Sequence, residues 1–342
     1  MGERVLVTGG TGYLAAWVIA RLLRSGHQVR TTVRDAGKAD QVRAAVGEEA
    51  GEAATSLDVV VADLLADDGW DEAVAGVDHV IHTASPLGTA PGTDVVRTAR
   101  EGVRRVLGAA VRVGVRRVVV TSSGVTVVPD EPGAAADESV WATPSDDPRQ
   151  EYAASKILAE RDAWDQAART GLELVTVLPT FMQGPALGRP SPAGSTQVVA
   201  RLLDGSLPAV PRIGWDVVDV RDVADLHVLA MTAPQAAGRR LLGAGTFMWW
   251  SDLAKVLKDQ LPEQTARVPV RTMPDLLVKV LARTNPQMAT IRPALGRKVV
   301  VDGSATRRLV GWHPRPVHET LADTATSLLT TPTVRSTSDV RA

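Results

Sequence analysis

Val5-Leu6-Val7-Thr8-Gly9-Gly10-Thr11-Gly12-Tyr13-Leu14-Ala15 runs from an apolar β-branched stretch through a glycine turn into a helix start. Gly9, Gly12 and the small Ala15 fall at the spacing Thr-Gly-x-x-Gly-x-x-Ala. The first glycine permits a tight turn. The second removes a side chain where a phosphate must approach the backbone, and Ala15 lets the helix close on the strand. The N–H groups of the first helical turn have no partner inside the helix and favour an anion. A glycine turn alone serves equally as a plain chain reversal. Its place, one strand into the chain and opening a helix, points to a pyrophosphate cradle.

The pattern continues outward in the same rhythm. Arg4 to Thr8 reads as a strand and Tyr13 to Ser25 as a helix closed by Gly26. Strands follow at Val29 to Val33, Leu57 to Ala62, His79 to Thr83 and Arg117 to Thr121. Between them lie a helical or irregular stretch from Lys38 to Glu52, a short helix at Trp70 to Ala75 and a long one at Asp94 to Val113. Gly124 to Pro148 reads as a loop, Gln150 to Thr170 as a helix and Leu172 to Leu178 as a strand. This alternation predicts an α/β fold with right-handed crossovers and a doubly wound parallel sheet of the Rossmann kind. It assigns 1–180 to the nucleotide-binding domain, with part of 206–245 completing the sheet. The region 181–330 is expected to be mainly a smaller, partly helical substrate lobe, with Leu241–Leu242, Ser251 to Gln260 and Pro274 to Ala282 among its elements. The polar stretch 331–342 is expected to be frayed.

The second strand ends Thr32-Val33-Arg34-Asp35. In such a fold an acid about 20 residues beyond the turn grips the adenosine 2′-hydroxyl of NAD. Here Arg34 occupies the strand tip, and Asp35, one residue on, points the other way. A guanidinium grips a 2′-phosphate through paired charged hydrogen bonds, so Arg34, with Lys38 as a second cation, predicts NADP(H). Asp63, followed by Leu64 after the third strand, is placed to meet the adenine amino group; a turn or helix-capping role accounts for it equally well.

Tyr152-Ala-Ala-Ser-Lys156 puts a phenol and an ammonium on one helix face. The sequence has only two tyrosines and six lysines, so a chance pair at this spacing has an expectation of roughly 0.04. An ammonium beside a phenol favours the phenolate and makes the pair a tuned proton donor. Ser122 and Ser123 follow the fifth strand, at the carboxyl end where a doubly wound sheet holds its ligand. A serine hydroxyl there can orient a carbonyl oxygen beside the tyrosine.

On these motifs the chain resembles the extended short-chain dehydrogenases/reductases, especially the dihydroflavonol reductase, cinnamoyl-CoA reductase and bacterial aldehyde/ketone reductase group. Thr8 to Ala15, Val33-Arg34-Asp35, His82 to Pro86, Val120 to Ser123, Tyr152 to Lys156, Pro179 to Pro185 and Val218 to Ala224 carry the resemblance in family order. It implies that Ser123 polarises a carbonyl, Tyr152 donates the proton, and Lys156 binds the nicotinamide ribose and tunes Tyr152. It implies cofactor contacts from Thr8, Gly9, Thr11, Gly12, Tyr13 and Leu14, and from Thr83, Ala84, Ser85 and Pro86. Thr121 and Ser122 at the fifth strand, and Pro179, Thr180 and Met182 at the nicotinamide face, complete that set. Two departures stand out. The plant flavonoid enzymes carry asparagine where this chain has Val128, and a substrate-binding glutamine where Asp216 stands beside Trp215. Pro86, Val125, Val128, Met182 and Trp215 suggest instead an apolar pocket, although ordinary core packing explains each of the last four as well.

The expected function is therefore NADPH-dependent reduction of a small, largely apolar ketone or aldehyde. A 3β-hydroxysteroid dehydrogenase and a nucleotide-sugar epimerase or dehydratase are alternatives on the same fold, and an NADP-binding redox sensor is the non-enzymatic one. An epimerase needs cationic grips for a diphosphate, for which 184–194 offers only Arg189. Composition trims the rest. There is no cysteine, which excludes disulfides, thiolate metal sites and a cysteine nucleophile. His79 and His82 do not share a strand face, and no metal site is expected. The net charge of −1 predicts no nucleic-acid partner, and no apolar run suggests a membrane span. Met1-Gly2-Glu3-Arg4 enters an apolar stretch at once, so no leader is expected, and the location reads as cytoplasmic. The chain is expected to be a monomer or a homodimer joined through the helices at 94–113 and 150–170.

Overall fold

The structure, a computed structural model, describes residues 2–86, 94–131, 133–188, 194–205 and 208–330. The elements run β1 (Arg4–Thr8), α1 (Tyr13–Arg24), β2 (Gln28–Val33), α2 (Ala39–Ala50), β3 (Asp58–Val61), α3 (Trp70–Val74), β4 (His79–His82), α4 (Val95–Arg112) and β5 (Arg117–Thr121). Then come α5 (Glu151–Thr170), β6 (Glu173–Pro179), β7 (Phe181–Gln183), α6 (Gln197–Leu203), β8 (Gly214–Asp219), α7 (Val220–Thr232), β9 (Arg240–Gly243) and β10 (Thr246–Trp249). The chain closes with α8 (Trp250–Gln260), α9 (Asp275–Leu281), α10 (Pro286–Ile291), α11 (Ser304–Val310) and α12 (Val317–Thr330).

Seven strands form a sheet in the order β3-β2-β1-β4-β5-β6-β9, parallel throughout. The strand order reverses between β1 and β4, the switch point where such a sheet opens a crevice at its carboxyl edge. The expected architecture is therefore present, with element ends displaced by a residue or two. One assignment needs correcting. Leu241 and Leu242 belong to β9 of the main sheet, not to the second lobe. The dipeptide is too short to show a period, and only its pairing with β6 places it. A separate three-stranded sheet, β10-β8-β7, has no counterpart in the sequence reading. The tail beginning at Thr331 lies outside the described residues, as does Arg189.

Side-chain alternation divides the strands between two cores. Val5, Val7, Ile81, Val119, Val175 and Val177 pack under α1, α2 and α7. Their chain neighbours Leu6, Val80, Val118, Val120 and Leu174 pack under α3, α4 and α5. This parity also decides where the polar residues at the strand ends point. A third cluster joins α6, α8 and α12 to the small sheet through Val217, Met248, Leu253 and Leu321. No helix among the described residues is long and apolar enough to cross a membrane.

Candidate active site

The turn after β1 has the backbone that the glycines suggest. Gly9 has φ +77, and a Cβ there would meet Ala84 at 3.0 Å. Gly12 begins α1 with ordinary φ and no side-chain cap; a Cβ on it would meet the Gly9 carbonyl at 3.0 Å. Thr8 Oγ1 accepts from Ala84 N at 3.1 Å, and Thr83 Oγ1 donates to the Thr8 carbonyl at 2.7 Å, so β4's end is tied to the turn. Tyr13 gives its hydroxyl to the Gly184 carbonyl at 2.8 Å. An open cleft of about 990 Å3 runs along Gly10, Thr11, Gly12 and Tyr13 to Lys38.

Arg34 and Lys38 are exposed at the tip of β2. Asp35 is not available to a ribose in the same way, because its Oδ1 accepts from Gly37 N at 2.9 Å and caps the short turn that carries Lys38. Asp63 is also a turn residue: its Oδ1 accepts from Leu65 N at 2.8 Å, which is the capping role. Leu64 packs toward Gly102 of α4. Ser85 lines a small cavity beneath β4, and Pro86 is buried beside it.

Parity separates the residues at the end of β5. Thr121, in phase with Val119, turns to α7 and donates its hydroxyl to His227 Nε2 at 2.8 Å. His227 Nδ1 in turn donates to the Val223 carbonyl at 2.8 Å, which sets the tautomer. The hydroxyl of Thr121 is thus engaged by α7, and its carbonyl faces Lys156. Ser122, in phase with Val120, turns to α5 and donates to Glu160 Oε2 at 2.6 Å. Ser123 is left to meet Tyr152, whose phenol donates to Ser123 Oγ at 3.5 Å. Lys156 Nζ donates to the Thr121 carbonyl at 3.3 Å.

Electrostatics refine the expected proton donor. Tyr152 is 39% exposed as a residue, but the crowding around its hydroxyl raises the phenol above its ordinary value, and the Ser123 hydrogen bond pulls it back only in part. Burial brings Lys156 itself down to about 8, opposed by Glu160. His82, behind the lysine, is held neutral by burial at about 3, with the Lys156 charge adding to the shift. Thr8 Oγ1, which accepts from Ala84 N, also shares a hydrogen bond of 2.8 Å with His82 Nδ1 and so ties the imidazole to the glycine turn.

The residues read as a substrate pocket are divided by the phase of β8. Trp215 is stacked on Phe181, with centroids 4.6 Å apart, and lies 5.5 Å from Trp250. It is in phase with Val217 and, half-buried, packs against the third core cluster. Its neighbour Asp216 faces the opposite side of β8, where it accepts from Thr180 Oγ1 at 2.9 Å and Gly245 N at 2.6 Å. Met182 packs partly buried against the α1 side of the sheet. Val125 and Val128 are half-buried on the segment that follows Ser123. Pro179, at the end of β6, is buried; its carbonyl and Thr180 crowd Gly124. Glu160 and Arg240 were not singled out from the sequence, although Glu160 stands one more helical turn along the Tyr152–Lys156 face.

Comparison with known proteins agrees with this geometry. The model of the NAD dependent epimerase/dehydratase family matches residues 5–242. Cinnamoyl-CoA reductase 1 of Oryza sativa subsp. japonica is 39% identical over 272 residues, covering 78% of each chain. Ketoreductase azaE of Aspergillus niger is 30% identical over 353 residues, covering 96% of this chain and 98% of its own. The yeast methylglyoxal/isovaleraldehyde reductase Gre2, solved with NADPH, superposes with a TM-score of 0.80 at 24% identity, over 95% of this chain and 98% of that one; that likeness concerns the fold. The chain belongs to the NAD dependent epimerase/dehydratase family, on the reductase-like branch of the extended short-chain dehydrogenases/reductases.

Proposed function

We propose that this chain is an NADPH-dependent carbonyl reductase that converts a small, largely apolar ketone or aldehyde to an alcohol, with Tyr152 as the general acid. The observation that carries the reading is the approach of the Tyr152 phenol to Ser123 Oγ at 3.5 Å over the carboxyl edge of the sheet. A carbonyl oxygen seated between the two hydroxyls receives a hydrogen bond from each, which stabilises the charge that gathers on it as the carbon is reduced. The raised phenol keeps its proton at neutral pH, which suits a donor to a nascent alkoxide. Lys156, anchored at the Thr121 carbonyl, supplies positive charge beside that oxygen and a donor for a ribose hydroxyl.

The residues present fit a dinucleotide. The glycine turn leaves space that a Cβ would fill, the helix behind it has no side-chain cap, and two exposed cations, with no ion-pair partner among the described residues, stand at the tip of β2. Gly9 to Leu14 would hold the pyrophosphate, and Arg34 with Lys38 the 2′-phosphate. When bound, the nicotinamide supplies the hydride that the carbonyl carbon accepts. Val125 and Val128 give the substrate side its apolar character.

NADPH consumption against aryl ketones, keto esters, aldehydes, an aromatic acyl-CoA thioester and nucleotide sugars tests the reading, with Tyr152→Phe as control. Turnover of a ketone or aldehyde that falls about 10²- to 10⁴-fold in Tyr152→Phe supports it. Turnover at the wild-type rate in that variant ends the proposed mechanism, and NADPH binding without turnover on every compound favours a sensor.

A further inference from the structure

Glu160 is a fully buried carboxylate in the middle of the catalytic helix. Its Oε2 accepts from Ser122 Oγ at 2.6 Å, and its Oε1 accepts from Thr176 Oγ1 and from Arg240 Nε, each at 2.9 Å. Arg240, on β9, is buried as well. Its remaining nitrogens donate to the Glu138 carbonyl and to Thr126 Oγ1, both at 2.9 Å, and to the Val140 carbonyl. Its guanidinium lies 3.8 Å over the Trp141 ring. One cation thus joins α5 and β9 to four points of the segment that leads away from Ser123.

Glu160 follows Lys156 by one helical turn on the same face. Both residues line a cavity of about 20 Å3, together with Ser122 and with His82 of β4, room for a single water. The groups around the Lys156 ammonium are the Thr121 carbonyl, the His82 imidazole, the Tyr152 phenol one turn before and Glu160 one turn after. The imidazole is neutral and the phenol keeps its proton, so Glu160 is the anion among them.

We propose that Glu160 and Arg240 form a positioning unit: Glu160 is the counter-charge that keeps the buried Lys156 ammonium protonated, and Arg240 clamps that carboxylate to the segment running from Ser123, so that the helix of the general acid and the serine opposite it share one frame. This rests on the roles assigned above to Ser123, Tyr152 and Lys156. Neither Glu160 nor Arg240 touches the reacting atoms.

With six lysines in the chain, the ε-carbons of ¹³C-lysine-labelled full-length protein can be titrated individually by NMR, and Lys156→Arg assigns the signal. The wild-type midpoint is expected near 8. Glu160→Gln keeps the shape and removes the charge; the midpoint should fall by about one pH unit or more, and the high-pH limb of carbonyl reduction should move with it. That variant strands the Arg240 charge, so Glu160→Gln/Arg240→Met, which removes both buried charges, is the second protein. It is expected to recover melting temperature while the Lys156 midpoint stays displaced, and amide exchange at Glu138 to Trp141 should quicken at least about tenfold as the clamp is lost. An unmoved midpoint in Glu160→Gln, a wild-type midpoint in the double variant, or unchanged exchange at Glu138 to Trp141 overturns the proposal. The NMR midpoint needs no turnover, so a displaced midpoint in an enzyme that reduces no carbonyl compound fails the functional reading and leaves the unit standing.

Discussion

Ser122 and Ser123 are adjacent in the chain and reach the same helix, α5, at residues two turns apart: Ser122 Oγ donates to the buried Glu160 at 2.6 Å, while Ser123 Oγ receives the Tyr152 phenol at 3.5 Å. The pair should therefore separate stability from chemistry. Ser123→Ala is expected to lower kcat/KM about 10²-fold, the loss typical of one oxyanion donor. Ser122→Ala leaves a buried carboxylate short of a donor and should cost about 1–3 kcal/mol of stability. Steady-state kinetics and thermal melting of both variants check this; equal effects of the two on turnover and on melting contradict the division.

Arg34 stands exposed where an acid would select NAD, and Asp35 is already engaged by Gly37. A charged hydrogen bond to a 2′-phosphate contributes about 1.5–3 kcal/mol, so Arg34→Asp should raise KM for NADPH at least about tenfold and leave NADH nearly unaffected. An unchanged NADPH-to-NADH selectivity refutes the assignment.

Gly9 and Gly12 should fail differently. Gly9 has φ +77 and Ala84 at 3.0 Å, so Gly9→Ala strains the backbone itself and should cost about 1–2 kcal/mol of folding stability. Gly12 has φ −80, a conformation any residue adopts; Gly12→Ala should melt closer to wild type and lose mainly NADPH affinity, read by fluorescence titration. Equal melting losses in both would show that the turn is only structural.

Two buried imidazoles predict acid sensitivity. His82 sits at about 3 and His227 at about 4, both lowered by burial. The unfolded chain takes up these protons near pH 6.5, so the stability associated with neutral imidazoles is complete above about 6.5 and declines as pH falls toward the folded values. For His227 alone the loss reaches about 3 kcal/mol near pH 4. Melting curves from about pH 7.5 to 4.5 should fall more steeply in wild type than in His227→Gln. Parallel slopes would remove His227 as a cause.

Local order was legible from residue patterns, because period and turn chemistry are written in neighbouring residues. The order strand, glycine turn, helix near the N-terminus, the alternation that follows, and the i, i+4 spacing of Tyr152 and Lys156 all act over a few positions. They were enough to predict a parallel doubly wound sheet and to pair Tyr152 with Lys156, whereas the choice of Ser123 over Ser122 rested on the family resemblance. The positions of β9 and of the small sheet were not legible, since four-residue strands acquire meaning only through partners distant in sequence.

The glycine turn, the strand-tip arginine and the tyrosine–lysine face are thus determined by the sequence itself, each within a few consecutive residues. Tertiary structure decided which serine faces the phenol, because only the packing of α5 over the end of β5 brings Glu160 to Ser122 and Tyr152 to Ser123. It stacked Trp215 on Phe181 and turned Asp216 toward Thr180, by the phase of β8. It also brought Arg240 to Glu160 across 80 residues. A carboxylate and a guanidinium that far apart announce nothing in sequence; they matter only once burial removes water and leaves each as the other's partner.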